Sequence, residues 1–536
     1  MSRAKYVRFL FAGVLIVLAM LDEVRAGGLR IVAVLGQAAA GTGPGAKFNS
    51  FSPPVINNRG ETAFDATLFG TGVTGSNMSG VWSEGGGNGL QLIARQGSAV
   101  PSFVAGDNFG LPGTWEGPVI NDAGATAFTA TVFGPGIDST NSVGIWSNAS
   151  GSVAAEVRTG DPAPGTTAKF TSFGNSFSSG AVGLIFNNSG KIAFQAQTTT
   201  SGTGFTGIWS GGGGNPLSLV AASQGPAPGT TFKFGNLDGQ NGPIMNNLGQ
   251  VAFTATAQNG DGVWSERGGN GLQLVAHAGD HAPGTPAGVT FNGFYYHPGQ
   301  NDAGNVGFYG SVTGPGVTSS NDEGIWSDSG GTLHLVVREG DPIVGSRIGF
   351  AGAFSERVMN ARGEMAFTSS GGIWSEGGGH GLRAVALGGQ PIPGAAGIKF
   401  QPLDVANAPV INSLGECAFM ATIIGSGIND GTGVFAEDIS GQLHTIVRTG
   451  DVIDISTTPG VPLLKTISSV QFVGQSGNDD GRRSGFNDFG QVVFEAIFTD
   501  RSSGVFVSDL VVVPEPSTAV LAIVAMAMLS GRQRLA

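Results

Sequence analysis

Apolar and polar residues alternate with a period of two over most of the chain, in short runs broken by glycine-rich turns. One unit of that pattern keeps returning. An apolar run meets Asn-x-x-Gly, and Ala-Phe then leads into a second run, as in residues 55–64. The turn residues of the successive copies are Asn57 and Gly60, Asn121 and Gly124, Asn187 and Gly190, and Asn246 and Gly249. Asn301 and Gly304, Asn360 and Gly363, Asn412 and Gly415, and Asn487 and Gly490 complete the set of eight. An asparagine side chain can bond the backbone ahead of it, and glycine accepts the positive φ that closes a hairpin. The unit is therefore read first as a hairpin device and only second as a binding motif.

Two further runs follow each hairpin. One is Gly-Val/Ile-Trp-Ser, at Trp82, Trp146, Trp209, Trp264, Trp326 and Trp374, softening to Phe435 and Phe506 in the last two copies. The other alternates leucine or valine with polar residues, as in residues 90–95. Four β-rich runs per repeat, eight times over, predict an all-β fold, an eight-bladed β-propeller of four-stranded blades. The Trp and Phe rows read as packing between blades. A sugar-stacking surface is the alternative, but a residue that recurs once per blade inside a strand is more often core.

The ends of the repeat region point to ring closure. Residues 29–37 look like a fourth strand lacking its three predecessors, and residues 504–510 like a third strand lacking its fourth. Pairing them would remove both exposed edges. An open solenoid would instead need capping repeats, which the sequence lacks.

Composition narrows the partners. The 536 residues carry a formal charge of -12 with only 12% charged side chains, which argues against nucleic acid and anionic membrane surfaces. The 93 glycines sit beside 40% hydrophobic residues, so the chain reads as turn-rich rather than disordered. A single cysteine, Cys417, excludes an intrachain disulfide.

Candidate chemistry is sparse. The blade links repeat Arg-x-Gly-Asp, with His277 for the arginine in one copy and proline next in two, and Asp161, Asp280, Asp341 and Asp451 are the weak candidates for a hard cation such as Ca2+. The competing reading makes each aspartate a turn former, and Gln37, Ser98, Gly225 and Gln390 take its place in the other copies. His277, Asp280 and His281 lie together in one link, but other copies place Arg, Leu or Ala at the first of these positions. Residues 478–481, Asn-Asp-Asp-Gly, have incomplete spacing for a calcium loop. No nucleophile elbow, phosphate loop or His-Glu-x-x-His is present, so no catalytic or cofactor-binding residue is assigned.

Both termini look like targeting segments. Arg3, Lys5 and Arg8 precede a short uncharged run at residues 9–21, and Ala26 is the expected signal-peptidase cleavage site. At the other end Pro514, Glu515 and Pro516 precede an apolar run at 519–529 and then Arg532 and Arg534. This tail resembles the PEP-CTERM sorting signal of bacteria, and the central repeats are similar to tandem NxxGxxAF repeats of bacterial surface proteins. The resemblance implies processing by an exosortase, membrane contact through a C-terminal helix, and a place at the cell surface or outside the cell.

The expected organisation is a signal peptide at 1–26, the propeller at 27–510 and the sorting signal at 511–536, with short hydrophobic helices at both chain ends. The expected role is a binding or structural module, not an enzyme, associated with extracellular polysaccharide or envelope components. A propeller-type polysaccharide hydrolase or lyase is the alternative. Convergence of acidic side chains at the channel mouth would favour it.

Overall fold

The computed structural model describes residues 28–509, apart from 102–104, 113–116, 175–182, 200–203, 236, 238–241, 343–349, 351–353, 380, 405–406, 457 and 459. Its strands form eight antiparallel sheets, one per repeat. The first blade shows the plan. Its inner strand comes in two pieces, Ala46–Phe51 and Val55–Ile56, and both pair with Thr62–Gly70. Ser79–Ser83 and then Gln91–Arg95 complete the blade outward. The Asn57 to Gly60 turn links the first two strands, and Gly60 takes a φ of 74°.

The aromatic rows hold the blades together. Trp82, Trp146, Trp209, Trp264 and Trp326 have no exposed surface. Trp82 meets Phe48 edge-on at 5.0 Å, within a cluster that also takes Val493, Val505 and Val507 from the closing blade. The indoles need two accommodations. A Cβ at Gly80 would lie 2.8 Å from the Trp82 ring, and one at Gly262 would lie 2.5 Å from the Trp264 ring, so Gly-x-Trp leaves room for the side chain. The buried indole N–H also needs an acceptor. Trp209, Trp264 and Trp326 donate to the carbonyls of Pro164, Pro228 and Pro283 in the proline-rich links, at 3.0–3.1 Å. The tryptophans are thus core, and the sugar-stacking reading of this row falls.

The ring closes as the terminal patterns suggest. Leu29–Val34 is the outer strand of the last blade and pairs with Ser503–Ser508, with Leu29 opposite Ser508 and Val34 opposite Gly504. Val492–Phe498 and Leu464–Gln471 lie inside it.

The fold expectation needs correction at its ends. Among the described residues the only helical elements are two short 3-10 turns, Arg267–Gly269 and Gly377–Gly379, and no helix is long and apolar enough to cross a membrane. No described residue therefore supports the expected hydrophobic helices, or the membrane contact and membrane-attached surface location that rest on them, and the segments expected to form them, 9–21 and 519–529, lie outside the described residues. Ala26, Pro514, Glu515 and Pro516 lie outside the described residues.

Candidate functional site

The eight repeat turns meet at the propeller axis and are tied to one another there. The Asn57 side-chain amide donates to the Asn121 carbonyl at 2.8 Å, Asn121 to Asn187 at 3.0 Å, and Asn187 to Asn246 at 2.9 Å. Asn246 donates to Asn301 at 2.9 Å, Asn301 to Asn360 at 3.2 Å, and Asn360 to Asn412 at 2.9 Å. Asn412 donates to Asn487 at 3.3 Å, and Asn487 returns to the Asn57 carbonyl at 2.9 Å. Meanwhile each Oδ1 accepts the N–H four residues ahead, as Asn57 does from Glu61 and Asn246 from Gln250, both at 2.9 Å. Aspartate could accept that bond but could not donate the other.

The next residue of each turn builds a second belt. The backbone N–H of Asn58 donates to Asp122, that of Asp122 to Asn188, that of Asn188 to Asn247, and that of Asn247 to Asp302, all at 2.6–3.0 Å. Ser413 donates to Asp488 and Asp488 to Asn58, at 2.8 and 2.9 Å. Ala361 has no side-chain acceptor to continue the belt. The other carboxylate oxygens take side-chain amides. Asp122 Oδ2 accepts from Asn58 and Asn188, Asp488 Oδ2 from Asn58, and Asp302 Oδ2 from Asn247, at 2.7–3.2 Å.

A segment of the last blade crosses the axis behind this belt. Ser484 and Gly481 offer carbonyls to the N–H groups of Ile56 and Phe186, at 2.9 and 2.8 Å. Ser476 offers its carbonyl to Ile411, and Gln475 N–H donates to Pro409, both at 3.1 Å. Arg483 donates to the carbonyls of Pro53 and Pro118. Arg482 pairs with buried Asp480 at 2.6 Å and donates to His297 Nε2 at 3.1 Å. Residues 475–484 thus form a plug that supplies partners to the inner strands of several blades, whose edges would otherwise be unsatisfied. Burial, with Arg482 and Arg357 beside it, holds the His297 imidazole well below its usual range, so it sits neutral and accepts a hydrogen bond from Arg482.

Asp479 projects from the plug into the mouth, where the Asn247 amide reaches it at 3.4 Å. Its carboxyl is pushed up to about 8, first by burial and then by the negative charges of Asp302, Asp488, Asp480 and Asp122. The mouth therefore holds a carboxyl that keeps its proton at neutral pH beside four further acidic groups. Phe489 and Leu248, 64% and 62% exposed, stand on the surrounding turns.

The sequence-assigned aspartates lie elsewhere and do other work. The carboxylates of Asp161, Asp280, Asp341 and Asp451 accept the backbone N–H three residues back, from Arg158, His277, Arg338 and Arg448, at 2.7–3.0 Å. Gln37 and Gln390 make the same bond with a side-chain amide oxygen. The turn-forming reading accounts for their geometry. His281 donates to Val289 in its own link, and among the described residues no group of three or more His, Cys, Asp or Glu is placed to hold a metal. Cys417 is buried, and burial pushes its thiol up. Sequence reasoning missed the belt, although Asp or Asn after the turn asparagine in six of eight copies was the available signal.

The family model described as a family of unknown function, DUF7453, matches residues 19–371 and 368–520. No curated protein sequence matches the chain. Among solved structures it is similar to the Pyrococcus horikoshii acylaminoacyl peptidase, at 10% identity and a TM-score of 0.36, over 78% of this chain and 57% of the peptidase. It is also similar to the Trypanosoma rangeli sialidase, at 10% identity and a TM-score of 0.27, over 91% of both chains. A Penicillium chrysogenum alpha-L-arabinanase is similar at 10% identity and a TM-score of 0.26, over 77% of this chain and 99% of the arabinanase. Likeness at this level carries nothing about activity. The comparisons bring nothing specific to the sorting signal. Carboxyl groups converge at the mouth, the feature expected of the hydrolase alternative rather than of the expected binding or structural module. The chain belongs to the DUF7453 family.

Proposed function

We propose that this DUF7453 chain is a hydrolase of a neutral polysaccharide, with the axial mouth as its active site. The observation that carries the reading is the convergence of Asp122, Asp302 and Asp488, from three repeat turns, around Asp479 of the plug. Glycosidic cleavage needs one carboxyl to protonate the leaving oxygen and another to act as base or nucleophile. Asp479 supplies the first, because burial and its neighbours keep it protonated at neutral pH. Asp302 and Asp488 are the candidates for the second. Asn188, which gives one amide N–H to Asp122, has the other to offer a sugar hydroxyl, and Phe489 offers an apolar face at the rim.

The same charge disfavours the lyase alternative. Elimination acts on uronate sugars, whose carboxylates this mouth would repel. Incubating the purified chain with neutral glucans, xylans and mannans tests the proposal. Release of new reducing ends, abolished in Asp479→Asn, is the expected result. Retention of glycan without product would return the chain to the binding class.

A further inference from the structure

Three of the chain's four tyrosines meet at one place, away from the acidic mouth. Tyr295 and Tyr296 lie on the inner strand Thr290–Gln300 of the fifth blade, and Tyr309 on its neighbour Val306–Thr313. Their rings lie 5.1 and 6.2 Å from that of Tyr309, and the Tyr296 ring is stacked on it. Tyr295 and Tyr296 each keep 40% of their surface exposed. No other inner strand carries a tyrosine, so the cluster is not part of the repeat plan.

The backbone is bent to present them. Tyr295 pairs with Tyr309 and Gly299 with Gly307, so the inner strand spends four residues where its partner spends two. Tyr296 sits in this bulge at a φ of 59°, a left-handed conformation that bulky side chains avoid. His297 precedes a proline, which restricts it in turn. The bulge is pinned from behind. Arg357 donates to the His297 carbonyl and lies 5.4 Å from the Tyr296 ring centre, while Arg482 of the plug holds the His297 ring. A strained, over-determined conformation that leaves an aromatic side chain in the open is a pattern of ligand sites rather than of packing.

The position along the strand separates this shelf from the mouth. Asn301 belongs to the mouth ring, His297 meets the plug, and Tyr296 and Tyr295 come further from Asn301 still. Polar groups edge the shelf. The Tyr295 hydroxyl donates to the Ser311 hydroxyl at 3.1 Å, and the Asn292 amide donates to the Ser311 hydroxyl at 3.3 Å. Aromatic faces edged by hydroxyl and amide groups match the apolar face and polar rim of a pyranose ring.

We propose that Tyr295 and Tyr296 form a second carbohydrate subsite, on the far side of the plug, that stacks the sugar rings of a neutral glycan. The proposal takes its ligand class from the hydrolase reading, but the two are tested apart. Binding of cellohexaose, xylohexaose and mannohexaose to the full chain is measured by calorimetry in the Asp479→Asn background, which leaves the shelf intact. At least one hexaose is expected to bind, about tenfold more weakly in Tyr295→Ala and in Tyr296→Gly. Tyr296→Gly suits the backbone, since glycine accepts the positive φ. Tyr295→Phe, which keeps the ring, is expected to bind within about twofold of its parent. Equal affinity in the alanine and glycine variants, or no hexaose binding at all, overturns the subsite. Hydrolysis of a short chromogenic glycoside by the same tyrosine variants, with Asp479 present, reports on the mouth alone and is expected to be unchanged.

Discussion

Asn487 donates its side-chain amide to the carbonyl of Asn57 at 2.9 Å, and this bond joins the eighth repeat to the first. Together with the pairing of Leu29–Val34 on Ser503–Ser508 it closes the molecule twice, at the axis and at the rim. The invariance of asparagine across the eight turns follows from the two bonds its side chain makes, one within the turn and one to the next blade.

A first prediction isolates the donor. Asn246 gives its amide both to Asn301 and to Gln250, and it is fully buried. Asn246→Asp keeps the shape and the acceptor but removes the donor and sets a carboxylate against two oxygens. A loss of about 2–4 kcal/mol is expected, against about 1–3 for Asn246→Ala. Denaturant unfolding at neutral pH measures both. Equal stability of wild type and Asn246→Asp would mean that the ring bonds hold little.

A second prediction concerns pH. Glu495 is 3% exposed, and its Oε2 has no hydrogen-bond partner among the described residues. Burial pushes its carboxyl up from 4.5 to about 7, against a smaller opposing pull from the Ser503 hydroxyl. The folded state therefore holds this proton more tightly than the unfolded chain. That contribution is complete below about pH 4.5 and lost as pH rises through 7, at a cost of roughly 3 kcal/mol. Glu495→Gln is expected to be the more stable protein at pH 8 and to match wild type near pH 4. Melting temperature against pH reads the difference, and parallel curves would contradict it.

A third prediction tests the plug. A Cβ at Gly477 would lie 1.7 Å from the Met359 carbonyl oxygen, a backbone atom that cannot step aside. Gly477→Ala is expected to lift the plug, lower stability by about 1–3 kcal/mol and displace Asp479. Its activity on glycan is expected to fall at temperatures where its circular dichroism still shows a folded sheet. Unchanged turnover would separate the plug from the site.

The sequence revealed some of this and hid the rest for physical reasons. Period-two alternation and the Asn-x-x-Gly turns expose the blades, because each strand must bury one face and each hairpin needs its glycine. The seam between the first and last strands is legible as a missing fourth strand. The plug is not, because its order comes from bonds to strands far away in sequence, such as Arg483 to Pro53. Its trace was the long last interval, from Asn412 to Asn487. Asp161 and its counterparts drew attention as carboxylates in a motif, yet each bonds its own turn. The working carboxylates fall in a slot that varies between Asp122, Asn188, Ala361 and Ser413, and only closure of the ring brings them together.

The most direct test of the hydrolytic mouth is the pH dependence of reducing-end release from a neutral glycan that the chain cleaves. With Asp479 as proton donor, the rate falls above about pH 8. Asp122→Asn, at a carboxylate that is neither acid nor base in this account, removes one of the charges that hold this carboxyl up, so in that variant the alkaline limb moves to lower pH. An alkaline limb that stays in place in Asp122→Asn, or glycan bound without any product at any pH, would contradict the account.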